Sequence, residues 1–100
     1  MAKVFAFDEF KPGVTLEQVA PLLKQEARHA WELYKQGVIR ENYLRTDKPG
    51  ALIVMEVDSV EQARSITDTF PLVKAGLIEF RFIPVGAFTP YETLFEPGLG

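Results

Sequence analysis

The chain alternates between two periods of apolar and polar positions, and the changes of period mark its elements. Lys3 to Phe7, KVFAF, is a short run rich in Val and Phe that predicts a buried strand, and the loop DEFKPG follows it. Thr15 with Gln18 three residues later has the pattern of a capping box, which starts a helix. Pro21 interrupts it, because proline supplies no backbone N–H. A short first turn followed by a main helix with Pro21 in its own first turn is expected. From Pro21 to Gln36 the residues Leu23, Ala27, Ala30, Trp31 and Tyr34 form one apolar stripe, which assigns Trp31 and Tyr34 to the core. Gly37 stands where a C-terminal glycine cap belongs.

VIRENYLR, Val38 to Arg45, then reads as a strand, although Arg40, Glu41, Asn42, Tyr43 and Arg45 make it polar. The tight connection TDKPG joins it to ALIVMEV, Ala51 to Val57, as an antiparallel hairpin. Ser59 caps a second helix, VEQARSITDTF, in which Val60, Ala63, Ile66 or Thr67, and Phe70 share a face, and Pro71 is expected to end it. LIEFRFIPV, Leu77 to Val85, reads as the last strand. The tail, 86–100, contains Pro90 and Pro97 and is expected to be irregular. Its segment FTPYETLF is too apolar for a free solvated end and is expected to reach a partner subunit.

The order βαββαβ within 100 residues predicts one α+β domain over 1–100, ferredoxin-like, with a four-stranded antiparallel sheet and both helices on one face. If Thr46 closes the hairpin opposite Ala51, then Tyr43 faces Val54. Ile39, Glu41, Tyr43, Arg45, Leu52, Val54 and Glu56 then share one surface of the sheet. The other surface carries Val38, Arg40, Asn42, Leu44, Ala51, Ile53, Met55 and Val57. Neither surface is simply polar, so a second copy of the chain is expected to cover the one the helices leave bare.

Composition narrows the function classes. A net charge of -3, with eleven basic residues scattered among fourteen acidic ones, argues against nucleic acid as a partner. No cysteine is present, which excludes disulfides, thiolate metal sites and a cysteine nucleophile. No apolar run approaches the roughly 20 residues that span a bilayer, so no membrane partner is expected, and the N-terminus lacks a signal-peptide pattern. A cytoplasmic protein is expected.

Three stretches, LYKQGVIRENYLR, PGALIVMEVDSVEQA and FPLVKAGLIEFRFIPV, resemble the muconolactone isomerase-like proteins of the dimeric α+β barrel superfamily. The shared signals are the helix-ending glycine before a strand with Arg40 and Arg45, the DSVEQA helix start, and PL before the last strand. The resemblance implies a sheet-to-sheet dimer or higher oligomer. It also implies a proton shift within an unsaturated lactone or related carbonyl compound, without metal or organic cofactor. The same barrel serves cofactor-free monooxygenases, which is the alternative enzyme. A dimeric module that binds a small ligand, or only assembles, is the alternative outside catalysis. The chain departs from the isomerases in having a single histidine and an apolar tail.

Four residues are candidates for the chemistry. Histidine is the side-chain type that suits a general acid or base near neutral pH, which makes His29 a candidate, and Glu26 one helical turn earlier is placed to orient it. Its alternative is a helix-surface histidine. Arg45 suits a small organic anion, Glu56 a proton shuttle, and Tyr43 a donor to an enolate oxygen. Their alternative is an Arg45–Glu56 cross-strand pair beside a Tyr43 packed at the dimer interface. One histidine with scattered carboxylates falls below a metal-ligand set, so no metal is expected.

Overall fold

The computed structural model describes residues 2–97. Strand β1 (Ala2–Phe10) runs three residues beyond the apolar KVFAF and buries Val4, Ala6 and Asp8 in alternation. At the start of α1 (Leu16–Val19) the Gln18 side chain accepts the Thr15 N–H at 2.8 Å, completing the capping box. Pro21 sits in a 3-10 turn, Ala20–Leu22, that joins α1 to the main helix α2 (Leu23–Lys35). Gly37, at φ +80°, lets the Gly37 and Val38 N–H groups reach back to the carbonyls of Tyr34 and Leu33, both at 3.0 Å. That pair of bonds is a Schellman cap. Strands β2 (Ile39–Leu44) and β3 (Ala51–Val57) follow, and the Ser59 hydroxyl accepts from Gln62 N–H as α3 (Val60–Thr67) begins. The second helix stops at Thr67, and Pro71 opens a separate turn, α4 (Pro71–Lys74), instead of closing α3. Proline fits there because a first helical residue needs no N–H partner. Strand β4 (Ile78–Val85) completes the sheet.

The antiparallel sheet has the order β2-β3-β1-β4, the ferredoxin-like α+β arrangement. Val4, Ala6, Ile53, Met55, Ile78 and Phe80 form its inner face, and Ala63, Phe70 and Leu72 pack on it from the helical side.

The hairpin register differs from expectation by two residues: Tyr43 faces Leu52 and Leu44 faces Ala51. The hairpin closes earlier because Arg45 N–H reaches the Gly50 carbonyl at 2.9 Å. A two-residue shift preserves side-chain faces, so Glu41, Tyr43, Leu52, Val54 and Glu56 still share the outer surface. A bulge between Ile39 and Glu41 carries Ile39 over to the core, where it is buried opposite Met55.

Three apolar regions are not in the core. Trp31 is 57% exposed and Tyr34 49%, because the stripe on α2 overhangs the edge strand β2 instead of lying fully on the sheet. Phe5 and Phe7 are half-buried on the outer surface of β1. The tail, expected to be irregular, contains a 3-10 helix, Thr89–Phe95, with Phe88, Tyr91, Leu94 and Phe95 exposed. It extends off the body: the radius of gyration is 16.9 Å, against about 13 Å for a globular chain of this length. Tail residues 98–100 lie outside the described residues.

Candidate active site

Between α2 and the sheet lies a cavity of about 470 Å³, walled by apolar side chains that include Phe10, Val19, Phe70 and Phe80. It exists because α2 presents the small side chains of Ala27 and Ala30 to it, which leaves helix and strand apart. Four polar side chains line it: Asp8, Glu26, Asn42 and Arg45. An apolar chamber with few polar groups is the usual form of a small-molecule site.

Asp8 continues the inward alternation of Val4 and Ala6 and is 6% exposed. Burial pushes its carboxyl above the ordinary carboxylate range, opposed by the Ala51 N–H that its Oδ1 accepts at 3.1 Å and by the charge of Arg45. Only glycine allows this packing at position 50. Gly50 has φ +146°, and a Cβ there would stand 2.5 Å from the Asp8 carbonyl oxygen and 3.0 Å from Oδ1. The hairpin thus closes directly on Asp8.

Glu26 lies in the first turn of α2, and its Oε1 accepts the Leu72 N–H of α4 at 3.0 Å. Burial raises its pKa from 4.5 to about 7, the Leu72 bond opposing the rise and the Asp8 charge adding to it. A second carboxyl in the same apolar chamber disfavours ionisation of Glu26. Glu26 therefore exchanges a proton near neutrality, where a general acid or base is most effective.

Of the four residues expected from sequence, the structure brings only Arg45 to this cavity. Its guanidinium is held by Asp47 through Nε–Oδ1 at 3.0 Å and a terminal nitrogen to Oδ2 at 2.6 Å. The expected Arg45–Glu56 cross-strand pair does not form, because the register sets Glu56 opposite Lys3 on the outer surface. Tyr43, also on the outer surface, donates its hydroxyl to Glu41. His29 is not oriented by Glu26: its Nε2 lies 2.6 Å from the Thr69 hydroxyl, which itself donates to the Ile66 carbonyl. The ring packs edge-on to Phe70 with centroids 4.9 Å apart, so His29 ties α2 to the end of α3. Arg45, Tyr43 and Glu56 therefore do not converge within a single chain.

Sequence reasoning passes over Asp8 and reads Glu26 only as a residue that orients His29. Both carried a signal: Asp8 keeps the two-residue phase of Val4 and Ala6, and Glu26 falls in phase with Leu23 and Ala30 of the α2 stripe. Among the described residues no group of three or more His, Cys, Asp or Glu is arranged to hold a metal ion, and no helix is long and apolar enough to cross a membrane.

No protein-family model matches the chain, and no curated protein sequence does. Among solved structures it is similar to 5-chloro-2-hydroxyhydroquinone dehydrochlorinase (TftG) from Burkholderia phenoliruptrix AC1100, in complex with 2,5-dihydroxybenzoquinone. The TM-score is 0.66 at 18% identity, over 85% of this chain and 92% of that one. At that identity the likeness is one of fold.

Proposed function

We propose that the chain is a small cofactor-independent enzyme that moves a proton on a small lactone or other carbonyl compound, with Glu26 as the proton carrier. The observation that supports this most strongly is a carboxyl with a pKa of about 7, facing an apolar cavity that also holds Asp8 and Arg45. In this reading ionised Glu26 takes a proton from the carbon next to the carbonyl. The C–H electron pair moves into an enolate, and the proton returns from Glu26 to another carbon of the conjugated system. Atoms and charge balance without any further reactant. The Asn42 side-chain amide, which also lines the cavity, donates a hydrogen bond to the enolate oxygen and stabilises charge where it develops. Arg45 exchanges its Asp47 partner for a carboxylate or ring oxyanion of the substrate.

The hydroxylated quinone bound by the dehydrochlorinase, a flat oxygenated ring, is the kind of molecule this cavity suits. His29, Tyr43 and Glu56 do not line the chamber that holds Glu26 and take no step in this scheme. The outer sheet surface, with Phe5, Phe7, Leu52 and Ile83, is proposed to pair with a second copy, since exposed apolar surface at a sheet face favours association.

Hydrogen–deuterium exchange tests the proposal. A panel of unsaturated lactones and cyclic ketones is incubated in D2O and followed by proton NMR. Exchange next to the carbonyl is expected with the wild type for at least one ring and is expected to vanish in Glu26→Gln. Exchange persisting in Glu26→Gln, or absent throughout with the wild type, refutes the reading.

A further inference from the structure

Asn42 borders more than one hollow. A second hollow of about 500 Å³ flanks the edge strand β2 and shares Ala27, Ala30 and Asn42 with the first. Its outer wall is the pair Trp31 and Tyr34, stacked with centroids 5.6 Å apart and planes within 25° of each other. Both rings are about half exposed, and Arg40, Glu41 and Tyr43 complete the rim. Ala27 and Ala30, three residues apart on one side of α2, line both hollows, so that only two small side chains and Asn42 stand where the hollows adjoin. Larger side chains there would divide the space.

Each hollow alone falls within the roughly 300–1,000 Å³ of small-molecule sites, so one small ring would leave the outer hollow vacant. An aromatic wall beside an apolar chamber favours a flat conjugated group, because ring faces stack in offset or edge-on geometry. We infer that the substrate is a planar anion of two fused or linked rings. Its reacting ring lies beside Glu26 and Asp8, and its second ring passes Asn42 to rest on Trp31 and Tyr34. The identity of the reacting end rests on the proton-transfer reading above; the two-ring length rests only on the two adjoining hollows.

Trp31 is the chain's only tryptophan, so its fluorescence reports the outer wall alone. Benzoate, 2-naphthoate and biphenyl-4-carboxylate serve as probes, titrated into the wild type and into Glu26→Gln, where binding needs no proton transfer. The two-ring acids are expected to quench Trp31 saturably, with Kd at least ten-fold below that of benzoate. By calorimetry, Ala27→Leu and Trp31→Ala, each checked for an unaltered circular dichroism spectrum, are expected to remove most of that advantage. Equal Kd values for one-ring and two-ring acids overturn the inference, as does an advantage that survives both substitutions. So does a Trp31 already shielded from iodide without ligand, since a second copy or another protein would then cover the wall. Loss of exchange activity in Glu26→Gln bears on the proton carrier and leaves these affinities to decide the substrate's length.

Discussion

Replacing Glu26 by Gln should change the pH dependence of stability in a way that no neutral packing change would. The folded protein holds the Glu26 proton up to about pH 7, whereas an unfolded chain releases it near 4.5. Between those values the native state binds more protons than the unfolded one, so stability falls as pH rises and levels off above 7. Each pH unit of that gap corresponds to about 1.4 kcal/mol, which sets an upper bound of roughly 3–4 kcal/mol. Glu26 is only partly buried, and solvent screening brings the expected effect to about 1.5 kcal/mol. Gln keeps an oxygen to accept the Leu72 N–H and never ionises, so the two proteins should match at pH 4. At pH 8.5 Glu26→Gln should melt roughly 6–12 °C above the wild type, for a domain of this size. Asp8 and Arg45, the charged groups that share its chamber, are common to both proteins. Melting curves by circular dichroism from pH 4 to 9 test this. A Tm difference that does not vary with pH, or a less stable Glu26→Gln at pH 8.5, would refute the assignment of a raised pKa to burial.

Gly50→Ala should cost about 2–3 kcal/mol, since its Cβ meets the Asp8 backbone in a conformation unsuited to an L residue, and chemical denaturation would read the loss. Arg45→Met should weaken binding of benzoate at least ten-fold by calorimetry while leaving the circular dichroism spectrum intact, because a charge-assisted pair is worth about 1.5–3 kcal/mol. Truncation after Gly86 should lower the mass of the assembly in light scattering if the exposed Phe88, Tyr91, Leu94 and Phe95 seat on a partner copy; an unchanged mass removes that role.

The fold was legible because its signals are local. The capping box at Thr15, the glycine at 37 and the apolar run at Ala51 to Val57 each require only a few neighbours to act. The site was less legible because its members come from separate segments. Asp8 follows the apolar KVFAF and precedes Pro12-Gly13, so it reads as loop until pairing with Phe80 extends the strand through it. Glu26 reads as a neighbour of His29 on one helix face until α4 supplies the Leu72 N–H. The bulge at Arg40 moved Ile39 across the sheet, and no residue type in VIRENYLR announces it. The apolar stripe on α2 was real but only partly covered, since the helix overhangs the edge strand and leaves Trp31 and Tyr34 outside. The polarity of VIRENYLR then divides three ways: Glu41 and Tyr43 lie on the outer surface, Asn42 lines the cavity, and Arg45 stands beyond the strand end at its wall.

The protonation of Glu26 is the claim on which the chemistry stands, and the carbon-13 shift of its side-chain carboxyl followed from pH 3 to 10 reads it without substrate. A midpoint near 7, falling when Asp8 is replaced by Asn, is the predicted result. A midpoint near 4.5, unchanged by that replacement, would contradict it.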